Sequence, residues 1–232
     1  MMSEFYEIRV YRVFDFEKQN LLETWMRVAF MPALKRLGIG NVGVFRNLGD
    51  PNDHSQFMVI PFSSLDQFSQ LNIRLAEDKE FAAASEAWFG QDMKDPIYHR
   101  VESWITQAFD SIPKMEIPAF KGNPDRIYEL RLYESHNMDS ARRKVKMFDD
   151  GETQLMRDTK LGPVFFGRTL AGPDSPNLIY LLGAENAEAH KAHWKAFINS
   201  DGWKAIKDLP EYANTVSKIQ KWNLKPTDFS QL

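Results

Sequence analysis

Polar and apolar positions alternate from Tyr6 to Phe14. Tyr6, Ile8 and Val10 fall on one side and Glu7, Arg9 and Tyr11 on the other, the pattern of a half-buried strand. Leu21, Leu22, Trp25, Val28 and Ala29 then recur at helical spacing, and Pro32 is expected to end or kink that helix. Strands are predicted over 42–46 and 56–62, joined as a hairpin by the turn-forming string Gly49-Asp50-Pro51-Asn52-Asp53. A helical region over 64–87 and a last strand over 100–106 complete the order β-α-β-β-α-β, which is ferredoxin-like.

The pattern then returns. Tyr6-Glu7-Ile8-Arg9-Val10-Tyr11 reappears as Tyr128-Glu129-Leu130-Arg131-Leu132-Tyr133, an offset of 122 that also places Arg46 on Arg168, Met58 on Tyr180 and Phe81 on Trp203. Leu37-Gly38 matches Leu161-Gly162 at 124 and Pro96-Ile97-Tyr98 matches Pro210-Glu211-Tyr212 at 114, shifts that fall where connections belong. In the second half strands are expected over 127–133, 164–170, 178–182 and 215–222, with Ala141, Val145, Phe148, Leu155 and Met156 as the inward face of the first helix. The chain therefore divides into ferredoxin-like domains at 1–110 and 122–232, with a linker at 111–121 rich in proline and turn residues. A four-stranded antiparallel sheet with helices on one side leaves its other face bare, and two halves in one chain can cover each other. The expected fold class is α+β: tandem ferredoxin-like domains packed sheet to sheet as a pseudo-dimeric α/β barrel, related by a pseudo-two-fold axis.

The paired Tyr-Glu-[Ile/Leu]-Arg-x-Tyr strands, a Leu-Gly in each half, and His193-Trp194-Lys195-Ala196-Phe197 followed by Ser200-Asp201-Gly202-Trp203-Lys204 resemble the NIPSNAP family. The resemblance spans roughly residues 5–106 and 127–222 and is clearest in the second half. In the first, Phe81 stands in place of the later tryptophan and no His-Trp pair is visible. It implies the dimeric α/β-barrel superfamily, which includes cofactor-free monooxygenases, and it implies no agreed chemistry.

Composition narrows the remaining classes. The 232 residues carry 29 basic and 32 acidic side chains, a net charge of −3, with 43% hydrophobic residues, as in ordinary globular proteins. A pI near 6.0 without basic runs argues against a nucleic-acid partner. The absence of cysteine excludes a disulfide framework, a thiol nucleophile and cysteine-ligated clusters, and reads as a reducing, cytoplasmic setting. No segment has the length of a membrane span and the N-terminus has no leader pattern. The outer helical faces leave room for homo-oligomer formation.

Glu7, Arg9, Tyr11, Glu129 and Arg131, with Tyr133, are expected to look into the closed barrel as a structural polar layer of ion pairs. The expected ligand-binding set is Tyr133, Arg168, His190, His193, Trp194 and Trp203, so that the second half should hold the better pocket. His190 and His193 lie at i, i+3, but no acidic or further histidine partner has ligand spacing, and no metal is expected. An imidazole beside tryptophan suits proton transfer if a ligand reacts. Asp149, Asp150 and Glu152 are assigned to solvent. There is no phosphate loop, Gly-x-Ser-x-Gly elbow or His-Glu-x-x-His, and no cofactor is expected. The reading is a protein that binds a small apolar or aromatic molecule in a helix–sheet cavity. The alternatives are a cofactor-independent monooxygenase or isomerase, and a non-catalytic assembly scaffold.

Overall fold

The computed structural model describes residues 3–232. Its first half runs β1 (Phe5–Val13), α1 (Phe16–Trp25), a π-helical turn (Met26–Phe30), α2 (Met31–Arg36), β2 (Gly43–Asn47), β3 (Gln56–Phe62), α3 (Leu65–Glu77), α4 (Lys79–Ala84), α5 (Glu86–Phe89) and β4 (Tyr98–Ala108). The second repeats it with β5 (Ile127–Glu134), α6 (Met138–Met147), a second π-helical turn (Phe148–Glu152), α7 (Thr153–Asp158), β6 (Pro163–Ala171), β7 (Asn177–Ala184), α8 (Ala187–Asn199), α9 (Asp201–Ile206) and β8 (Lys218–Pro226). The strands close into one antiparallel barrel in the order β1-β3-β2-β8-β5-β7-β6-β4. The two four-stranded sheets meet at their edges, β2 with β8 and β4 with β6, so neither keeps a free edge.

The barrel interior corrects the expected parity. Tyr6, Ile8, Val10, Phe57, Val59, Tyr128, Leu130 and Leu132 fill it, together with Phe45, Trp104 and Phe165. The void left among them is about 10 Å³, too small for any ligand. Glu7, Arg9, Tyr11, Glu129, Arg131 and Tyr133 therefore face the opposite way, into the layer between sheet and helices, where Tyr11 packs with Leu22, Met26 and Phe30 and Tyr133 with Phe148 and Tyr180. A closed barrel lumen has no route to water and takes the wholly apolar face, whereas the helical layer opens at its rim and tolerates charge.

Pro32 does not end the first helix. It sits in the first turn of α2, where a proline is tolerated, directly after the π-helical turn. That wide turn recurs at an offset of 122 and sets the phase of the inward face. Four residues overshoot a regular α-helical turn by about 40°, and the wider turn takes this back. Leu22, Met26, Phe30 and Leu34 are thus all buried in one row, as are Lys144, Phe148, Glu152 and Met156.

Two of the offset matches change in space. Gly38 and Lys160, 122 apart, are the residues with positive φ that close α2 and α7, where Ile39 N–H reaches Leu34 O and Leu161 N–H reaches Met156 O. Gly162 has a different role: a Cβ there would meet the Gly183 carbonyl oxygen at 2.2 Å. Tyr98 begins β4 whereas Tyr212 lies in a 3₁₀ turn, and β4 and β8 match at 118, since Tyr11 faces Val101 and Tyr133 faces Ile219. Residues 111–121 are no free tether. Ile112 is buried in the second half's core, and Met115, Ile117 and Phe120 pack against the barrel interior.

Candidate functional site

On β1, strand alternation sets Glu7, Arg9 and Tyr11 side by side beneath the helices. Arg9 donates Nε to Glu7 Oε1 at 2.9 Å and Nη2 to Glu7 Oε2 at 2.7 Å, while Nη1 donates to the Tyr11 hydroxyl at 3.2 Å. Ser103 of β4 donates its hydroxyl to Glu7 Oε1 at 2.8 Å. Two of the five N–H groups of Arg9 have no bond among the described residues. Burial acts to lower the Arg9 pKa, but Tyr11 and Glu7 outweigh it, and the pKa stands above its ordinary value.

Above Arg9 lies a cavity of about 400 Å³. One wall is a ladder of rings. Trp25 is stacked on Phe30 at 5.2 Å and on Trp88 at 4.5 Å, with Phe81 at 6.2 Å and tilted. Trp25 is fixed by its indole N–H, which donates to Ser85 Oγ at 3.0 Å. Tyr98 closes one side, and Asn72, Leu75 and Ala76 of α3 form the rim. Burial and the neighbouring Tyr11 raise the Tyr98 pKa, Arg9 opposing. The cavity combines a wall of aromatic rings with the Arg9 guanidinium in its lining, a combination suited to a flat apolar molecule.

The equivalent layer of the second half is built differently. Glu129 Oε2 is bonded to His190 Nε2 at 2.9 Å and accepts from the Trp194 indole N–H at 2.7 Å, and Oε1 accepts from Arg131 Nη1 at 3.1 Å. The Trp194 ring covers Arg131, whose guanidinium carbon lies 4.6 Å from the ring centre. Burial pushes the Glu129 carboxyl up, but the His190 hydrogen bond, Arg131 and Trp194 bring it below the usual carboxylate value. Beside this cluster Lys144 Nζ donates to Glu152 Oε2 at 2.7 Å, and both side chains are nearly inaccessible, at 6% and 3%. The Lys144 amine lies 4.7 Å from the centre of the Phe148 ring, and the Tyr180 hydroxyl donates to that of Tyr133 at 2.8 Å. Burial raises the Glu152 pKa and Lys144 opposes it.

The comparisons with known proteins fall on both halves. Residues 128–231 match the NIPSNAP family model. They form a NIPSNAP domain. No curated protein matches the chain. Among solved structures, a candidate monooxygenase from Lactobacillus acidophilus NCFM is similar over 97% of this chain and 94% of its own, at a TM-score of 0.62 and 11% identity. A second, from Fusobacterium nucleatum subsp. nucleatum, aligns over 97% and 93% at a TM-score of 0.63 and 8% identity. An anthrone oxidase-like protein aligns over 97% and 92% at 0.57 and 13%. At these identities the likeness is one of fold, the whole two-half barrel.

The NIPSNAP domain brings together four of the six residues expected to bind a ligand, but it packs them against one another. His190 and Trp194 hold Glu129, Tyr133 holds Tyr180, and Trp203 lies on Phe197 at 4.9 Å. His193 is half-buried on α8. Arg168 lies apart, bonded to Gln107 of β4 at 2.6 Å and exposed. Its counterpart Arg46 clamps Glu23 through two bonds of 2.6 Å. Glu152, expected in solvent, is buried beside Lys144, while Asp149 accepts from Ser111 N–H at 2.8 Å and Asp150 meets Lys146 and Tyr212. The cavity over the polar layer lies in the first half, and Trp194 fills the corresponding place in the NIPSNAP domain. The sequence signal for it is Asn72, which stands where the NIPSNAP domain has Trp194: α3 and α8 have equal length and begin 122 apart. A small side chain at a position filled by tryptophan in the repeat leaves space.

Proposed function

We propose that the protein binds a small, flat apolar or aromatic molecule in the cavity of its first half, between the sheet and α1, α3 and α4. The observation that carries this reading is the ladder of Phe30, Trp25 and Trp88 beside an arginine with two N–H groups unbonded among the described residues. Stacked rings offer a large apolar contact, and a few fixed donors orient what enters. Arg9 and Tyr98 are the titratable side chains of the lining, and Tyr98 is shifted further from neutrality. The lining holds no imidazole, and the carboxylate bonded to Arg9, that of Glu7, is already held by Arg9 and Ser103, which favours binding over acid–base catalysis.

Asn72→Trp tests it. The added indole occupies the cavity as Trp194 occupies its own half, so the variant keeps its unfolding midpoint. A molecule that accompanies the wild-type chain in native mass spectrometry, or a naphthalene-sized probe titrated by calorimetry, no longer binds. Undiminished binding by a folded Asn72→Trp variant overturns the site.

A further inference from the structure

The repeat contains its own example of an occupied site. The five helical segments of the two halves coincide at an offset of 122, α1 on α6, one π-helical turn on the other, α2 on α7, α3 on α8 and α4 on α9, so Asn72 and Phe68 stand where Trp194 and His190 stand. In the second half an indole ring lies on the Arg131 guanidinium at 4.6 Å and its N–H donates to Glu129 Oε2 at 2.7 Å, the oxygen that His190 also holds. In the first half both donors are gone. Phe68 has no polar group and packs on Phe62 at 5.4 Å, and the exposed Asn72 makes no hydrogen bond with Glu7 among the described residues. Among the described residues Glu7 Oε2 then accepts from Arg9 Nη2 alone, while Oε1 serves both Arg9 Nε and Ser103. The arginine compensates by gripping its glutamate with two bonds, where Arg131 makes one.

From this juxtaposition we infer that the first-half cavity takes an uncharged aromatic ring carrying an N–H or O–H donor, an indole or a phenol by class, lying on Arg9 and donating to Glu7 Oε2 in the pose that Trp194 holds over Arg131 and Glu129. The inference rests on the cavity reading above and specifies its occupant. Charge points the same way. The Arg9 cation is already matched by Glu7, so an anionic ligand would bring a second carboxylate beside a buried one with no second cation in the lining. A ring without a donor would gain the stacking but leave the Glu7 oxygen as it is.

Three probes of one ring system separate these terms when titrated calorimetrically into the full-length chain at neutral pH: 2-naphthol, which donates an O–H; 2-methoxynaphthalene, in which the donor is capped; and 2-naphthoate, which is an anion. The expected order is 2-naphthol first, 2-methoxynaphthalene about tenfold weaker for the loss of a hydrogen bond to a charged group, and 2-naphthoate weakest, with none binding Asn72→Trp. Methoxynaphthalene binding as tightly as naphthol, or naphthoate binding tightest, overturns the donor-on-Glu7 pose and leaves the cavity reading standing. Failure of all three to bind the wild-type chain overturns both.

Discussion

Lys144→Met is expected to lower the unfolding free energy by about 3–5 kcal/mol at neutral pH, because it strands the Glu152 carboxylate in an interior without another cation in contact. The measurement is the denaturant midpoint at unchanged slope. The pH dependence has a definite sign. Burial raises the folded-state pKa of Glu152 and Lys144 opposes it, so removing the amine raises it further. A carboxyl whose folded pKa lies above its unfolded value binds the extra proton in the folded state, so stability falls as pH rises between the two values. The variant's deficit relative to wild type therefore shrinks on acidification and is largest at neutral pH. The first half shows how the pair is dispensed with, since Leu22 and Phe30 occupy the places of Lys144 and Glu152. The double change Lys144→Leu with Glu152→Phe is accordingly expected to recover most of the loss. A single variant as stable as wild type would show that Glu152 reaches solvent.

Arg9→Met is expected to cost a similar amount, about 3–5 kcal/mol, and Arg131→Met less, about 1–3 kcal/mol. The difference comes from what each glutamate retains. Glu7 would keep the Ser103 hydroxyl, whereas Glu129 keeps both His190 and Trp194. Because these donors and Arg131 hold the Glu129 pKa below its usual value despite burial, its contribution is in place above the ordinary carboxylate range and fades as pH falls through the lowered value. Equal midpoints for the two variants would remove the asymmetry between the halves.

Much of this architecture was legible along the chain. Alternation from Tyr6 to Tyr11 marks a strand, the return of that hexapeptide at 128 marks a repeat, and two sheets with bare faces need each other. The Glu-Arg-Tyr set of each half was legible as a paired polar layer. Its surroundings were not, nor was the burial of Glu152: the widened turn at Phe148–Glu152 brings it into line with Lys144, eight positions earlier. A wide turn has no reliable signature in residue types, because its extra residue is accommodated by packing against the sheet.

The cavity illustrates the boundary most clearly. Sequence favoured the second half, where His190, Trp194 and Trp203 are gathered, since aromatic and titratable residues in one segment suggest a pocket. In the folded protein those side chains are large enough to fill the space they would line, and the pocket opens where the repeat has Asn72 instead. Periodicity is written along the chain: which residues share a strand face, which helices repeat, and that the two halves pair. Which face turns toward the lumen, which glutamate is left with a spare oxygen and which half stays open were decided only in three dimensions. Alternation has the same period whichever way a strand is turned, and a void depends on the summed volumes of side chains from β1, α1, α3 and α4 that meet only after folding.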